Sequence, residues 1–215
     1  MFVYEKKLQY PVKIANVNPQ LASIIISQYG GPDGELGASL RYLSQRYSMP
    51  YPELKGLLTD IGTEELGHLE MVGTIVHQLT RTLTQEQIES AGFANYFVDH
   101  TAGVYPQAAS GTPWSAATMA VTGDPIADLT EDLAAEQKAR VTYDNILRIS
   151  DDPDVNDAIR FLREREIVHF QRFGEAIELL RRRLDEIPRS ICRRKRRAEA
   201  RFQKTPPPGL GGGVF

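Results

Sequence analysis

Two stretches of the chain repeat apolar residues in steps of four and three. Leu54, Leu58, Ile61, Glu65, His68, Val72, Ile75 and Leu79 make one such seam; Val155, Ile159, Leu162, Glu166, His169, Phe173, Ile177 and Leu180 make the other. That stepping keeps one face of an α-helix toward a partner, so both stretches predict amphipathic helices. Two further helical runs precede them. The first, Pro19 to Tyr47, carries Leu21, Ile24, Ile25, Leu36, Leu40 and Leu43, with Asn18 as its cap and Pro19 as its first residue. Inside it, Gly30-Gly31-Pro32-Asp33-Gly34 should break or kink the helix just before Glu35. The other run starts near Asp124-Pro125, reaches Ile149, and sets Leu129, Leu133, Glu136, Tyr143 and Leu147 on one side.

The connections decide how these runs pack. Met49-Pro50-Tyr51-Pro52 and Asp151-Asp152-Pro153 are tight turns, so each pair of helices folds back on itself. Between the pairs, from Thr82 to Gly123, periodicity fades; Thr84 to Ser90 suits a short helix, and the rest is rich in Gly, Pro, Ser, Thr and aromatics. A connection of that length in a compact domain is functional or spans a bundle. Two helical hairpins joined by one long crossover predict an all-α, ferritin-like four-helix bundle. Residues 1–18, with Tyr10-Pro11, read as an extended arm or a short hairpin. The bundle and its arm occupy residues 1–187, and 188–215 form a basic, Pro/Gly-rich tail with little to bury.

Composition narrows the setting. The chain has 215 residues, 41% hydrophobic and 25% charged, the balance of an ordinary globular protein. Its single cysteine, Cys192, excludes an internal disulfide framework and suits a reducing compartment. No secretory signal layout opens the chain, and no apolar run approaches the ~20 residues of a membrane helix; a cytoplasmic protein with no membrane partner is expected. The net charge of −3 hides a split, because Arg181 to Lys204 holds 11 of the 25 basic residues and only Asp185, Glu186 and Glu199 of the 28 acidic ones. The run Arg193-Arg194-Lys195-Arg196-Arg197 reads as a solvated end or a docking segment for acidic neighbours, and nucleic acid is not an expected partner.

The polar residues inside the two seams carry the chemistry. Glu65-Leu66-Gly67-His68 and Glu166-Ile167-Val168-His169 each put a carboxylate and an imidazole on one helix face, a turn apart. One Glu-x-x-His alone is most simply a solvated face. Here, however, Glu35 stands thirty residues before Glu65 and Glu136 thirty before Glu166, with Tyr42 and Tyr143 seven residues past each of those glutamates. A duplicated set of four carboxylates and two imidazoles in apolar seams would be costly to bury without cations. In ferritin-like bundles a Glu from each of two helices and a Glu-x-x-His from each of the other two form a dinuclear metal site. Oxygen-rich ligation with two imidazoles suits manganese or iron. Tyr42 and Tyr143 read either as core tyrosines with satisfied hydroxyls or as hydrogen-bond partners of the site. Arg140 reads as exposed or as paired with a site carboxylate, and His77 and His100 have no matching partners.

Several segments together resemble the manganese catalases. They are Phe2-Val3-Tyr4-Glu5-Lys6-Lys7-Leu8-Gln9-Tyr10, Tyr29-Gly30-Gly31-Pro32-Asp33-Gly34-Glu35-Leu36, Asp60-Ile61-Gly62-Thr63-Glu64-Glu65-Leu66-Gly67-His68 and Glu166-Ile167-Val168-His169-Phe170. The likeness covers residues 1 to about 187 and is greatest to a short branch that includes a spore-coat protein of endospore-forming bacteria. It implies disproportionation of hydrogen peroxide to water and dioxygen at two manganese ions per subunit. It also implies Glu35, Glu65, His68, Glu136 and His169 as metal ligands, with Glu65 bridging. Glu166 would lie just outside the ligand set as the proton carrier, with Tyr42 as a second candidate catalytic residue. A homohexamer is implied too, with spore-coat proteins as partners and the coat as location if the source forms endospores. Two departures stand out: the longer catalases carry an arginine where this chain has Ala135, and a long carboxy-terminal segment where it has a short basic tail. The readings that compete are a di-iron oxidase or ferroxidase on the same bundle, and a structural coat component with a stabilising metal site.

Overall fold

A proline opens each of the four longest helices. In the computed structural model, which describes residues 5–185, α1 (Pro19–Gly30) is capped by the Asn18 side chain, which accepts from the Leu21 amide at 2.9 Å. After α2 (Glu35–Gln45) comes α3 (Pro52–Thr80), the longest uninterrupted helix of the first half. The crossover holds α4 (Gln85–Ser90) and α5 (Ala94–His100), then one 3-10 turn at Ala116–Thr118. Next come α6 (Pro125–Ile149), capped by Asp124 through the amides of Ile126 and Ala127, and α7 (Pro153–Asp185), where Asp152 accepts from Asp154 and Val155. The fixed φ of proline, joined at α1, α6 and α7 by a short acceptor just before it, makes these starts locally determined; α3 relies on its proline alone.

The first predicted run is thus two helices. The Gly31 amide bonds back to the Ser27 carbonyl at 2.8 Å, closing α1, and the chain restarts with Glu35 as the first residue of α2. The crossover is laid directly against this break. A Cβ added at Gly30 would stand 2.3 Å from the Pro106 carbonyl carbon, so only glycine lets the two backbones approach so closely. Ala109 donates its amide to Ser27 Oγ at 2.7 Å, and Gln45 donates to the Ala120 carbonyl at 2.8 Å. Both ends of the helix pair are therefore tied to the long connection.

Side-chain pairings fix the directions of the helices. Tyr143 of α6 meets Glu35 of α2, while Tyr42 of α2 meets Glu136 of α6, so these two helices run antiparallel. Arg172 of α7 pairs with Asp60 of α3 at 2.6 Å, and Glu166 of α7 approaches His68 of α3 at 4.0 Å, again an antiparallel match. The seam residues Val72, Ile75, Ile159 and Leu162 close into one core with Met71, Ile25, Ile26 and Ile146. Among the described residues there is no strand, so the arm is extended rather than a hairpin; the single β-bridge, Gln107 with Pro113, lies in the crossover. The helix α5 has no counterpart in the sequence pattern. A separate compact unit begins at Glu178, and the bundle and site belong to the unit ending at Ile177. The boundary at 187/188 and the basic tail lie outside the described residues.

Candidate metal centre

The polar residues of both seams meet in the interior. Glu65, His68, Glu166 and His169 can each bring one ligand atom within 4.8 Å of the others, and all four are buried. Glu65 stands between the two imidazoles, with Oε2 at 2.7 Å from His68 Nδ1 and Oε1 at 2.6 Å from His169 Nδ1. The rings lie near-parallel, their centroids 5.5 Å apart. Glu136 flanks the cluster, Oε2 at 3.5 Å from His169 Nδ1. Glu35, 1% exposed, lines a narrow cleft together with Glu136 and Glu166. The structure therefore gathers all six duplicated residues, and it puts Glu166 as deep in the cluster as Glu65.

Two tyrosines lock the flanking carboxylates crosswise. Tyr42 donates to Glu136 Oε1 at 2.5 Å, and Tyr143 donates to Glu35 Oε1. Each tyrosine sits seven residues past the glutamate of its own helix, two turns along, and bonds the glutamate of the opposite helix. Both are fully buried, with hydroxyls satisfied at the site itself.

A residue outside the duplicated pattern supports both histidines. Glu64 faces the outer side of the rings, with Oε2 at 3.1 Å from His169 Nε2 and Oε1 at 3.6 Å from His68 Nε2. It is held from α7 by Arg165 (2.6 and 3.1 Å) and from the arm by Gln9 (2.7 Å). With Nε2–H of His169 given to Glu64, the lone pair is left on Nδ1, which points into the cluster. Arg140, by contrast, pairs with Asp144 at 2.7 Å and no site carboxylate, and His77 and His100 are apart from the cluster.

Electrostatics make the cluster proton-rich when no cation is bound. Burial, then the charges of neighbouring carboxylates, push Glu35 and Glu166 well above the usual carboxylate range. Burial alone would lower His68, but Glu65 and Glu64 carry it up to about 10; His169, also opposed by burial, is carried up to about 12 chiefly by Glu65 and Glu136. A raised histidine stabilises the fold fully below its unfolded value, about 6.5, and that gain is lost as pH rises through the folded value. The raised glutamates act with the same sign. Metal-stripped protein should therefore melt at progressively lower temperature from about pH 6.5 to pH 10, and metal-loaded protein should lose less, because cations replace the protons. Thermal melts of both forms across that range measure it; a level profile for the stripped form contradicts the charge arrangement.

The donor set fits a pair of hard or borderline cations. Glu65 Oε1, Glu136 Oε2, Glu166 Oε1 and His169 Nδ1 are buried in the cluster without a hydrogen-bond partner. Orphaned acceptors at that density call for something positive between them. Carboxylate oxygens with two imidazole nitrogens, and no thiolate, match manganese or iron.

The chain matches the family model for manganese-containing catalases over residues 1–203. It is 56% identical over 186 residues to a Bacillus subtilis (strain 168) protein named CotJC, covering 86% of this chain and 98% of that one. It is 38% identical over 179 residues to a probable manganese catalase of Clostridium acetobutylicum, covering 82% and 80% of the two chains. The crystal structure of KatB, a manganese catalase from Anabaena, shares 34% identity at a TM-score of 0.78, covering 84% of this chain and 81% of that one.

Proposed function

This chain belongs to the manganese-containing catalases, and from that membership we propose that it disproportionates hydrogen peroxide to water and dioxygen at a dinuclear manganese site among α2, α3, α6 and α7. The observation that carries the reading is the buried Glu65–His68–Glu166–His169 cluster with its unpartnered ligand atoms. In this reading Glu35, Glu65, His68, Glu136 and His169 hold the metals. Bound there, the manganese pair supplies the exchange of two electrons with peroxide, one from each ion.

The chain's own residues manage geometry, protons and water. Glu65 is shared by both imidazoles, so one carboxylate sets the spacing of the two histidines. Tyr42 holds Glu136 and Tyr143 holds Glu35, which fixes the flanking ligands before any cation arrives. Glu166 holds and passes protons: its burial among other carboxylates favours the protonated form, which lets it give a proton and take one back. The apolar seams above and below, with Ile61, Val72, Leu162 and Phe173 buried, exclude bulk water and admit only small molecules.

Assembly into a homohexamer is part of the same proposal, with family likeness as its support. Location in a spore coat is proposed on the likeness to CotJC; among the described residues no helix is long and apolar enough to cross a membrane. Elemental analysis combined with oxygen release from peroxide tests the function. About two manganese ions per chain with rapid oxygen release is the expected result. Iron with no oxygen release would instead assign a di-iron oxidase on the same bundle.

A further inference from the structure

Glu64 joins the buried centre to solvent on the side of α3 and α7. The six duplicated residues are no more than 2% exposed, whereas the Glu64 side chain is 16% exposed. Its inner edge lies against both imidazoles, Oε2 at 3.1 Å from His169 Nε2 and Oε1 at 3.6 Å from His68 Nε2. His68 Nε2 is buried and has no hydrogen-bond partner among the described residues, so an unused ligand atom faces this carboxylate. One side chain thus touches water on one edge and two ligand side chains on the other.

Two long side chains cover Glu64 from outside. Arg165 of α7 grips both its oxygens, at 2.6 and 3.1 Å, while its own side chain is 28% exposed. Gln9 of the arm is exposed and donates Nε2 to Glu64 Oε1 at 2.7 Å. Its neighbours Leu8 and Tyr10 pack against the core, so the arm can stay seated while the Gln9 side chain turns away. Below that amide α3 has only Gly67, where an added Cβ would stand 3.5 Å from Gln9 Oε1. A hard divalent cation exchanges its waters for oxygen ligands, and the Glu64 carboxylate and Gln9 amide supply such oxygens at the protein surface. Arg165 neutralises Glu64 while the cover is closed and leaves it anionic when it swings into water.

We propose that Glu64 is the entry ligand of the metal centre: Gln9 and Arg165 swing aside, the carboxylate takes a divalent cation from solvent, and His68 and His169 draw it inward. The proposal rests on the reading of the cluster as a dimetal centre. Its test uses full-length, metal-stripped protein. Uptake is read as loss of the electron paramagnetic resonance signal of aqueous Mn(II), and release as transfer from loaded protein to excess chelator. Gln9→Ala removes a hydrogen bond to a charged group, so uptake and release should both rise about tenfold with affinity little changed. Glu64→Gln removes the attracting charge, so uptake should slow about tenfold and lose most of its dependence on salt. Glu64→Asp keeps the charge and should keep most of the uptake rate, and Arg165→Gln should speed uptake. A wild-type uptake rate in Glu64→Gln, with only release faster, would overturn the proposal and leave Glu64 as a support for the imidazoles. Unchanged uptake in both Gln9→Ala and Arg165→Gln would overturn the cover. Wild-type protein that binds neither manganese nor iron would refute the dimetal reading itself, whereas loading indifferent to these variants refutes only the route.

Discussion

Replacing Glu166 by glutamine is expected to slow oxygen release by about 10²–10⁴-fold while the manganese content stays near that of the wild type. Glutamine keeps the volume and one acceptor oxygen of the side chain but cannot take up or release a proton at neutral pH. Glu166 is 2% exposed, lies 4.0 Å from His68 Nδ1, and carries a carboxyl raised by burial and by Glu136, Glu35 and Glu65. Reduction of peroxide to water consumes protons, and oxidation of peroxide to dioxygen releases them. A single buried group that stores a proton between the halves of the cycle keeps both in step without opening the site to water. Metal analysis beside the rate separates this from ligation. If the variant lost manganese, Glu166 would be a ligand; if it turned over at the wild-type rate, protons would travel by another path.

The placement of Glu166 shows where sequence and structure carry different information. That Glu65, His68, Glu166 and His169 point inward was legible, because they replace apolar residues in register along two seams, and charges in such positions need one another. The offsets to Glu35, Glu136 and the two tyrosines were legible too, since thirty residues spans helix, turn and helix in each hairpin. What each tyrosine bonds was not legible: the partner is the glutamate of the opposite helix, a contact that exists only once α2 and α6 lie antiparallel. Likeness in sequence separates Glu166 from Glu65, whereas their distances to the histidines place both inside one cluster.

Other parts escaped pattern reading for plainer reasons. The break at Gly31–Gly34 was visible from its composition, but its purpose was not: the crossover backbone at Pro106 is seated on Gly30, far along the chain. The helix α5 has no buried residue and no side-chain cap, so neither periodicity nor a start signal marks it. Arg41 and Asp132 carry charges in helices whose outer faces are also charged, and only burial distinguishes them. Glu64 is the most consequential omission. Standing next to Glu65 it reads as a solvated neighbour, and its side chain is indeed 16% exposed. Its partners Gln9 and Arg165 come from an aperiodic arm and from the other hairpin, 55 and 101 residues away.

Substituting Glu64 by alanine is accordingly expected to weaken manganese binding about 10- to 100-fold, or roughly 1.4–2.7 kcal/mol. The change removes the acceptor for His169 Nε2 at 3.1 Å and leaves Arg165 and Gln9 without their shared carboxylate. His169 would then be free to take the other tautomer and to rotate, so a fraction of the protein would present no lone pair on Nδ1 to a cation. His68, at 3.6 Å from Glu64, should be loosened less. Glutamine at the same position still accepts through its carbonyl but loses the charge that opposes the His169 and Arg165 cations, so its loss should fall between wild type and alanine. Burial works against the charge of Glu64, yet the histidines, Arg165 and Gln9 hold its carboxyl far below the usual range; the carboxylate is present at any pH where metal binds. Calorimetric titration of stripped protein with manganese reads the affinities directly, and Gln9→Ala separates the arm from the core of the effect. Full affinity in Glu64→Ala would mean that helix packing alone orients the imidazoles. A graded loss from glutamine to alanine would tie the metal centre to the arm and to α7 through one carboxylate.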